Sequence, residues 1–184
     1  IGTSIGAATA LVLALQHPEM VRSMILAEPP IHGWIRDSAE TAEVYRAYMA
    51  DIQEPAARAF RAGNETAAMK AFIDGFAGMS RFDGLAPEAR ATVMQNALAM
   101  KALALSTDPF PDVPKSRVRQ LGMPILIVTG ENTIAIHRLV NEELIRLVPH
   151  AQTATIANAG HGSPRENPSA FNGAMLEFLE TQRR

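Results

Sequence analysis

Cysteine is missing from the chain, which excludes disulfide staples, thiolate metal sites and a cysteine nucleophile, and fits a reducing, cytoplasmic location. Excess positive charge is missing as well. Seventeen Lys and Arg against 19 Asp and Glu leave a formal net charge of -2, so a nucleic-acid partner finds no electrostatic footprint and a small molecule is the expected partner. The longest apolar run, Ala7 to Leu15, falls far short of the roughly 20 residues of a membrane-spanning helix, and no basic segment precedes it as in a signal peptide. No membrane association is therefore expected. An initial methionine is also lacking: the chain opens on Ile1, and the expectation is that its true start has been lost and that it is a fragment.

What is present is ordinary globular composition, 47% hydrophobic and 20% charged over 184 residues, enough for a proper core. Ala7 to His17 is apolar nearly all round, which predicts a helix buried on most faces. Pro18 stops it. Val21 to Ala27 is dense in branched aliphatics, as in a strand of a parallel sheet, and Glu28 with Pro29 and Pro30 ends it. Pro124 to Thr129, closed by Gly130, predicts a second strand, and Thr153 to Ile156 a third that ends at Asn158-Ala159-Gly160. Between these two, Ile136, Leu139, Val140, Leu144 and Leu147 fall at helical spacing over about 135–147. A last helix follows Asn167-Pro168, cap and first helical residue, and carries Phe171, Met175, Phe178 and Leu179 inward. The fold class is α/β with a parallel sheet.

Residues 31–113 contain no convincing strand and predict a helical insertion of four helices, leaving 1–30 and 114–184 as the core. Asp37 with Glu40 resembles a capping pair, Pro55 sits near the start of a second helix, Asn64 caps a third, and Pro87-Glu88 opens a fourth running to Leu105. Five of the nine methionines, Met49, Met69, Met79, Met94 and Met100, fall here. They read as core filler, or as a pliable lining for an apolar substrate.

The chemistry begins at Gly2-x-Ser4-x-Gly6. A serine hydroxyl needs a base and must project from the backbone; a tight turn from strand to helix does the latter, with glycines two positions either side allowing the two to approach. The following helix aims its first amides at the same spot, so the Ile5 N–H is placed to bind an oxyanion. Among five histidines, His161 stands in Gly160-His161-Gly162, after a strand and before a helix, at the sheet edge where loops gather functional groups. His17, His137 and His150 read as ordinary surface or core residues. His32 and Trp34, where the insertion begins, are the expected substrate contacts, an exposed position being the alternative for His32.

Together IGTSIGAATALVLALQHPEMVRSMILAEPP, MPILIVTGEN and NAGHGSPRENPSAFNGAMLEFL resemble the C-terminal part of an α/β-hydrolase-fold protein, over essentially the whole chain. The resemblance implies that Ser4 is the nucleophile and His161 the general base and acid. It also implies that residues 31–113 form a cap, that no metal or organic cofactor is used, and that earlier strands with a second oxyanion donor belong before Ile1. Without them the helix after Ser4 and the edge of the Val21 to Ala27 strand are expected to be exposed, so that the chain swaps with a copy of itself, forms a homo-oligomer or needs the missing N-terminal segment.

The acid that orients the histidine is open. Many relatives carry an aspartate in a pattern like G-E-x-D, and here Gly130-Glu131-Asn132-Thr133 puts Thr133 in its place. Other members place the acid after the strand that follows the elbow, where Glu28 stands. Glu28 is the expected acid, with Glu131 or no acid at all as the alternatives. The expected function is a serine hydrolase, esterase-like, acting on an ester-like carbonyl bond of a small apolar substrate through an acyl-enzyme; the rival is a non-catalytic ligand-binding homologue or an inactive fragment.

Overall fold

A computed structural model describes residues 1–77, 81–107, 109, 110 and 112–182. Four strands run parallel in the order of the chain: β1 (Gly2–Thr3), β2 (Met24–Ala27), β3 (Ile125–Gly130) and β4 (Gln152–Ile156). All four residues of β2 are buried, as its aliphatic density predicts for a strand covered on both faces. The strand is shorter than the sequence implies, because Val21, Arg22 and Ser23 precede it outside the ladder. Its expected open edge is covered at Leu26 and Ala27, which pair with Gly2 and Thr3.

The chain divides into two compact units, one of Ile1–Ser38 with Phe110–Arg184, the other Ala39–Pro109. Residues 31–38 and 110–113, placed in the insertion by sequence, lie in the first unit with the sheet. There α1 (Ile5–Gln16) follows β1, a short α2 (Gly33–Arg36) follows β2, and α8 (Lys115–Val118), α9 (Ala135–Leu147), α10 (Ser163–Glu166) and α11 (Pro168–Thr181) complete it. The register Ile25 to Leu126 and Ala27 to Val128 aligns one sheet face. With Ile156, Ala159, Phe171 and Phe178 these residues make a core in which Met175 and Leu179 are only partly buried. Each fully buried side chain of this size contributes about 1.5–3 kcal/mol. The Asn167 side chain accepts a hydrogen bond from the Ala170 N–H at 3.2 Å, so the expected cap forms.

The second unit is helical: α3 (Ala42–Tyr48), a π-helical turn (Met49–Gln53), α4 (Glu54–Arg61), α5 (Glu65–Ala77), α6 (Pro87–Met94) and α7 (Ala97–Leu105). Pro55 stands near the start of its helix, as the sequence implies. It sits at the second position of α4, just past the wide turn, whose displaced hydrogen bonding accommodates a residue without an N–H. Asn64 caps α5 through its contact with the Ala67 N–H at 3.0 Å. The helix expected from Pro87 to Leu105 is broken at Gln95 and Asn96 into α6 and α7. Asp37 is not the N-cap of α3, which is Thr41; it ends α2, and Arg36 donates to both its carboxylate oxygens at 2.6 and 2.9 Å. Of the insertion's methionines Met69 is buried, Met49, Met94 and Met100 are half-buried, and Met79 lies outside the described residues. Phe60, Phe72 and Phe82 provide the bulk of this unit's core.

Candidate active site

At the ends of β1 and β2 the backbone turns through positive φ on non-glycine residues, Ser4 at 51° and Glu28 at 50°. Such a conformation costs of order 1–3 kcal/mol and persists where the surroundings enforce it. At Ser4 they do. Its N–H bonds to the Ala27 carbonyl at 2.8 Å, and its own carbonyl receives the N–H groups of Ala7 and Ala8, so strand and helix grip it from both sides. A Cβ on Gly2 would lie 2.3 Å from the Gly6 carbonyl oxygen, which explains the first glycine of the motif. Gly6 does not share that reason: a Cβ there meets nothing within 4 Å, and only its backbone is needed for the close approach.

The turns bring three side chains into line. His161 Nε2 lies 3.1 Å from Ser4 Oγ, and its Nδ1 lies 2.7 Å from Glu28 Oε2. A carboxylate only accepts, so Nδ1 carries the proton and Nε2 is left to accept the Ser4 hydroxyl. Glu28 is 2% exposed and fully occupied: Oε1 accepts the Gly130 N–H and Oε2 the Thr133 hydroxyl, each at 2.8 Å. Thr133 therefore serves the neighbouring strand's carboxylate from the position where the sequence resemblance anticipates an acid. Glu131 is not in this group; its Oε2 accepts the Asn158 N–H at 2.7 Å on the surface. Ile5 is the first residue of α1, where no intrahelical carbonyl reaches its N–H, next to Ser4.

The histidine loop is held closely. A Cβ on Gly130 would lie 2.3 Å from the Gly160 carbonyl oxygen, so β3 and the loop touch backbone to backbone. Asn132 N–H donates to the Ala159 carbonyl at 2.8 Å, and Gly160 N–H to Glu166 Oε2 at 2.6 Å. Glu166 has no sequence motif to mark it.

His32 and Trp34 are both buried, so the exposed position considered for His32 is not the one it takes. Trp34 is buried and donates its indole N–H to the Val113 carbonyl at 2.7 Å. His32, 3% exposed, packs edge-on against Phe110 with centroids 4.8 Å apart, and lies 5.6 Å from the ring of His137. His137 in turn stacks on His161, centroids 4.1 Å apart and planes within 10°. It is a buried residue, as one of its two sequence readings has it, and its ring faces that of the loop histidine. The usable signal was its place four residues before Asn141 and seven before Leu144, on the buried stripe of α9.

Glu28, His137 and His161 hold ligand-type atoms within 4.8 Å of one another. The nitrogen lone pairs of the two rings lie in separate, nearly parallel planes, and the carboxylate is at hydrogen-bond distance. This arrangement fits proton transfer better than a metal ion with converging ligands.

Burial holds the His32 imidazole down to about 3, with the neighbouring His161 adding to the effect. Burial also pushes His137 well below its ordinary value, helped by His161 and then His32. Both are neutral in the fold and take up protons on unfolding near pH 6.5, so their contribution is intact above that pH and is lost as pH falls below it. Unfolding free energies from urea titrations are expected to fall below about pH 6.5 with a slope of about 1.4 kcal/mol per pH unit for each histidine. A His32→Leu variant should show about half the combined slope of the pair, and a flat wild-type profile from pH 7 to 4.5 would refute the assignment.

Among the described residues no helix is long and apolar enough to cross a membrane. Residues 1–168 match the family model described as alpha/beta hydrolase fold. Over 181 residues the chain is 26% identical to the sn-1-specific diacylglycerol lipase ABHD11 of Mus musculus, covering 97% of this chain and 58% of the lipase. Among solved structures, MenH from S. aureus superposes with a TM-score of 0.71 at 20% identity, covering all of this chain and 68% of that one. An esterase from Thermogutta terrifontis does so at 0.71 and 22%, covering all of this chain and 64% of the other. At these identities the two structures speak for the fold alone.

Proposed function

The chain belongs to the α/β-hydrolase fold family, and on that premise we propose that it is a serine hydrolase cleaving a carboxylic ester of a small apolar substrate. The observation that carries this is the unbroken line from Ser4 Oγ through His161 to Glu28, with the serine on a strained turn at a helix start. His161 Nε2 takes the Ser4 proton as Oγ attacks the ester carbonyl, and the Ile5 N–H holds the developing oxyanion. The alcohol leaves with the proton from Nε2. Water then gives its proton to the same nitrogen, attacks the acyl carbonyl, and the acid departs as Ser4 regains its hydrogen. Throughout, Glu28 fixes the tautomer of the ring and stabilises its positive form.

The ester class is supported by the lipase to which the chain is related. Thr133, which from sequence motivates a non-catalytic reading, donates to the carboxylate facing His161, an arrangement that supports the catalytic one. The test is a fluorophosphonate probe with peptide mapping. One adduct on Ser4, absent from Ser4→Ala, is the expected result. An unlabelled Ser4 in a folded protein, or equal labelling of the variant, would overturn the proposal.

A further inference from the structure

We infer that His137 is a positioning residue: its ring forms a flat wall on one face of His161 and holds that imidazole in the plane of its two hydrogen bonds. The inference rests on the hydrolase reading for its kinetic consequence, though not for its structural one. The contacts of His161 to Glu28 Oε2 and Ser4 Oγ, 2.7 and 3.1 Å, both lie along the ring edge. Rotation about the Cβ–Cγ bond swings both nitrogens off their partners together. Hydrogen bonds resist that motion weakly at first, whereas a parallel ring at 4.1 Å resists it at once, because one ring cannot turn without driving its edge into the other.

The wall is itself fixed. His137 is 1% exposed, on the third residue of α9, and four residues on the Asn141 amide donates to the Val128 carbonyl at 2.9 Å and Thr129 Oγ1 at 2.7 Å, pinning the helix to β3. Against His137, tilted at 44°, also lies the ring of His32, itself packed on Phe110. An imidazole suits the place because burial keeps it neutral, so it presents no charge to a partner that becomes cationic during turnover.

The experiment compares wild type with His137→Phe, which keeps a flat ring, and with His137→Leu and His137→Gln, which do not. Two readouts are taken: the low-field proton resonance of the His161 Nδ1–H, observable without substrate, and the separate kcat and KM for an ester. The expected result is a sharp resonance in wild type and His137→Phe, and a broadened or lost one in the other two. Their kcat should fall about fivefold, what an aromatic pair is worth, at unchanged KM. An unaltered resonance with kcat within twofold in either ringless variant overturns the inference, as does a wild type lacking the resonance. Unfolding of both ringless variants assigns His137 to the core and overturns it too. A wild type that shows the resonance pattern but no turnover refutes the hydrolase proposal alone.

Discussion

Ser4→Ala is expected to lower kcat toward an ester by about a millionfold, and His161→Ala by a comparable amount. The size follows from the two groups acting as one device: without the hydroxyl there is nothing to acylate, and without the Nε2 acceptor at 3.1 Å the hydroxyl keeps its proton. The double variant should therefore be scarcely worse than either single one. Additive losses would mean that the two side chains do not share a step. Folding provides a separate check, because Ser4 carries a φ of 51° that glycine adopts without strain. Ser4→Gly should be as inactive as Ser4→Ala and more stable than it by about 1 kcal/mol in urea. A less stable glycine variant would argue against a strained turn.

Glu28→Gln carries the second large effect, about a ten-thousandfold loss in kcat with the fold retained. An amide in place of the carboxylate offers an N–H toward Nδ1, and a ring that must accept there exposes its proton to Ser4, the wrong tautomer for a base. Thr133 makes this loss correctable. Its hydroxyl lies 2.8 Å from the Glu28 oxygen that faces the imidazole, so a carboxyl group on residue 133 reaches almost the same point. Glu28→Gln with Thr133→Asp should recover at least a tenfold share of the lost activity, whereas Thr133→Asp alone crowds two carboxylates and should be impaired. No recovery in a folded double variant would mean that Glu28 does more than orient the ring.

Ser4 and His161 were legible in the sequence because each announces itself by glycines at a boundary between periodic segments, and such punctuation survives without coordinates. The candidate acid was legible only as a preference for Glu28 over Glu131, because both follow aliphatic strands; the positive φ at Glu28 and the bond it receives from the Gly130 N–H turn that carboxyl inward. Thr133 was read as a deficit since a hydroxyl's partner lies on another strand, 105 positions away in the chain. His137 went unrecognised because helical periodicity ranks a histidine among aliphatics as an interruption, whereas its ring here meets another ring. The parallel strands, α9 and the cap of α11 came out nearly as read, since their signals are local. The π turn before Pro55 and the break at Gln95 were not, because the chain's own periodicity continues through both.

The Asn141 amide has a mechanical meaning beyond the bonds it makes. One peg, set into the central strand of the sheet, fixes both the roll and the axial slide of α9, and the same rod carries the imidazole wall one turn away. A slip of that rod by a single residue would turn its faces by about 100° and leave the loop histidine leaning on empty space. The setting of the loop histidine is thus gauged from the interior of the molecule outward, by a buried amide.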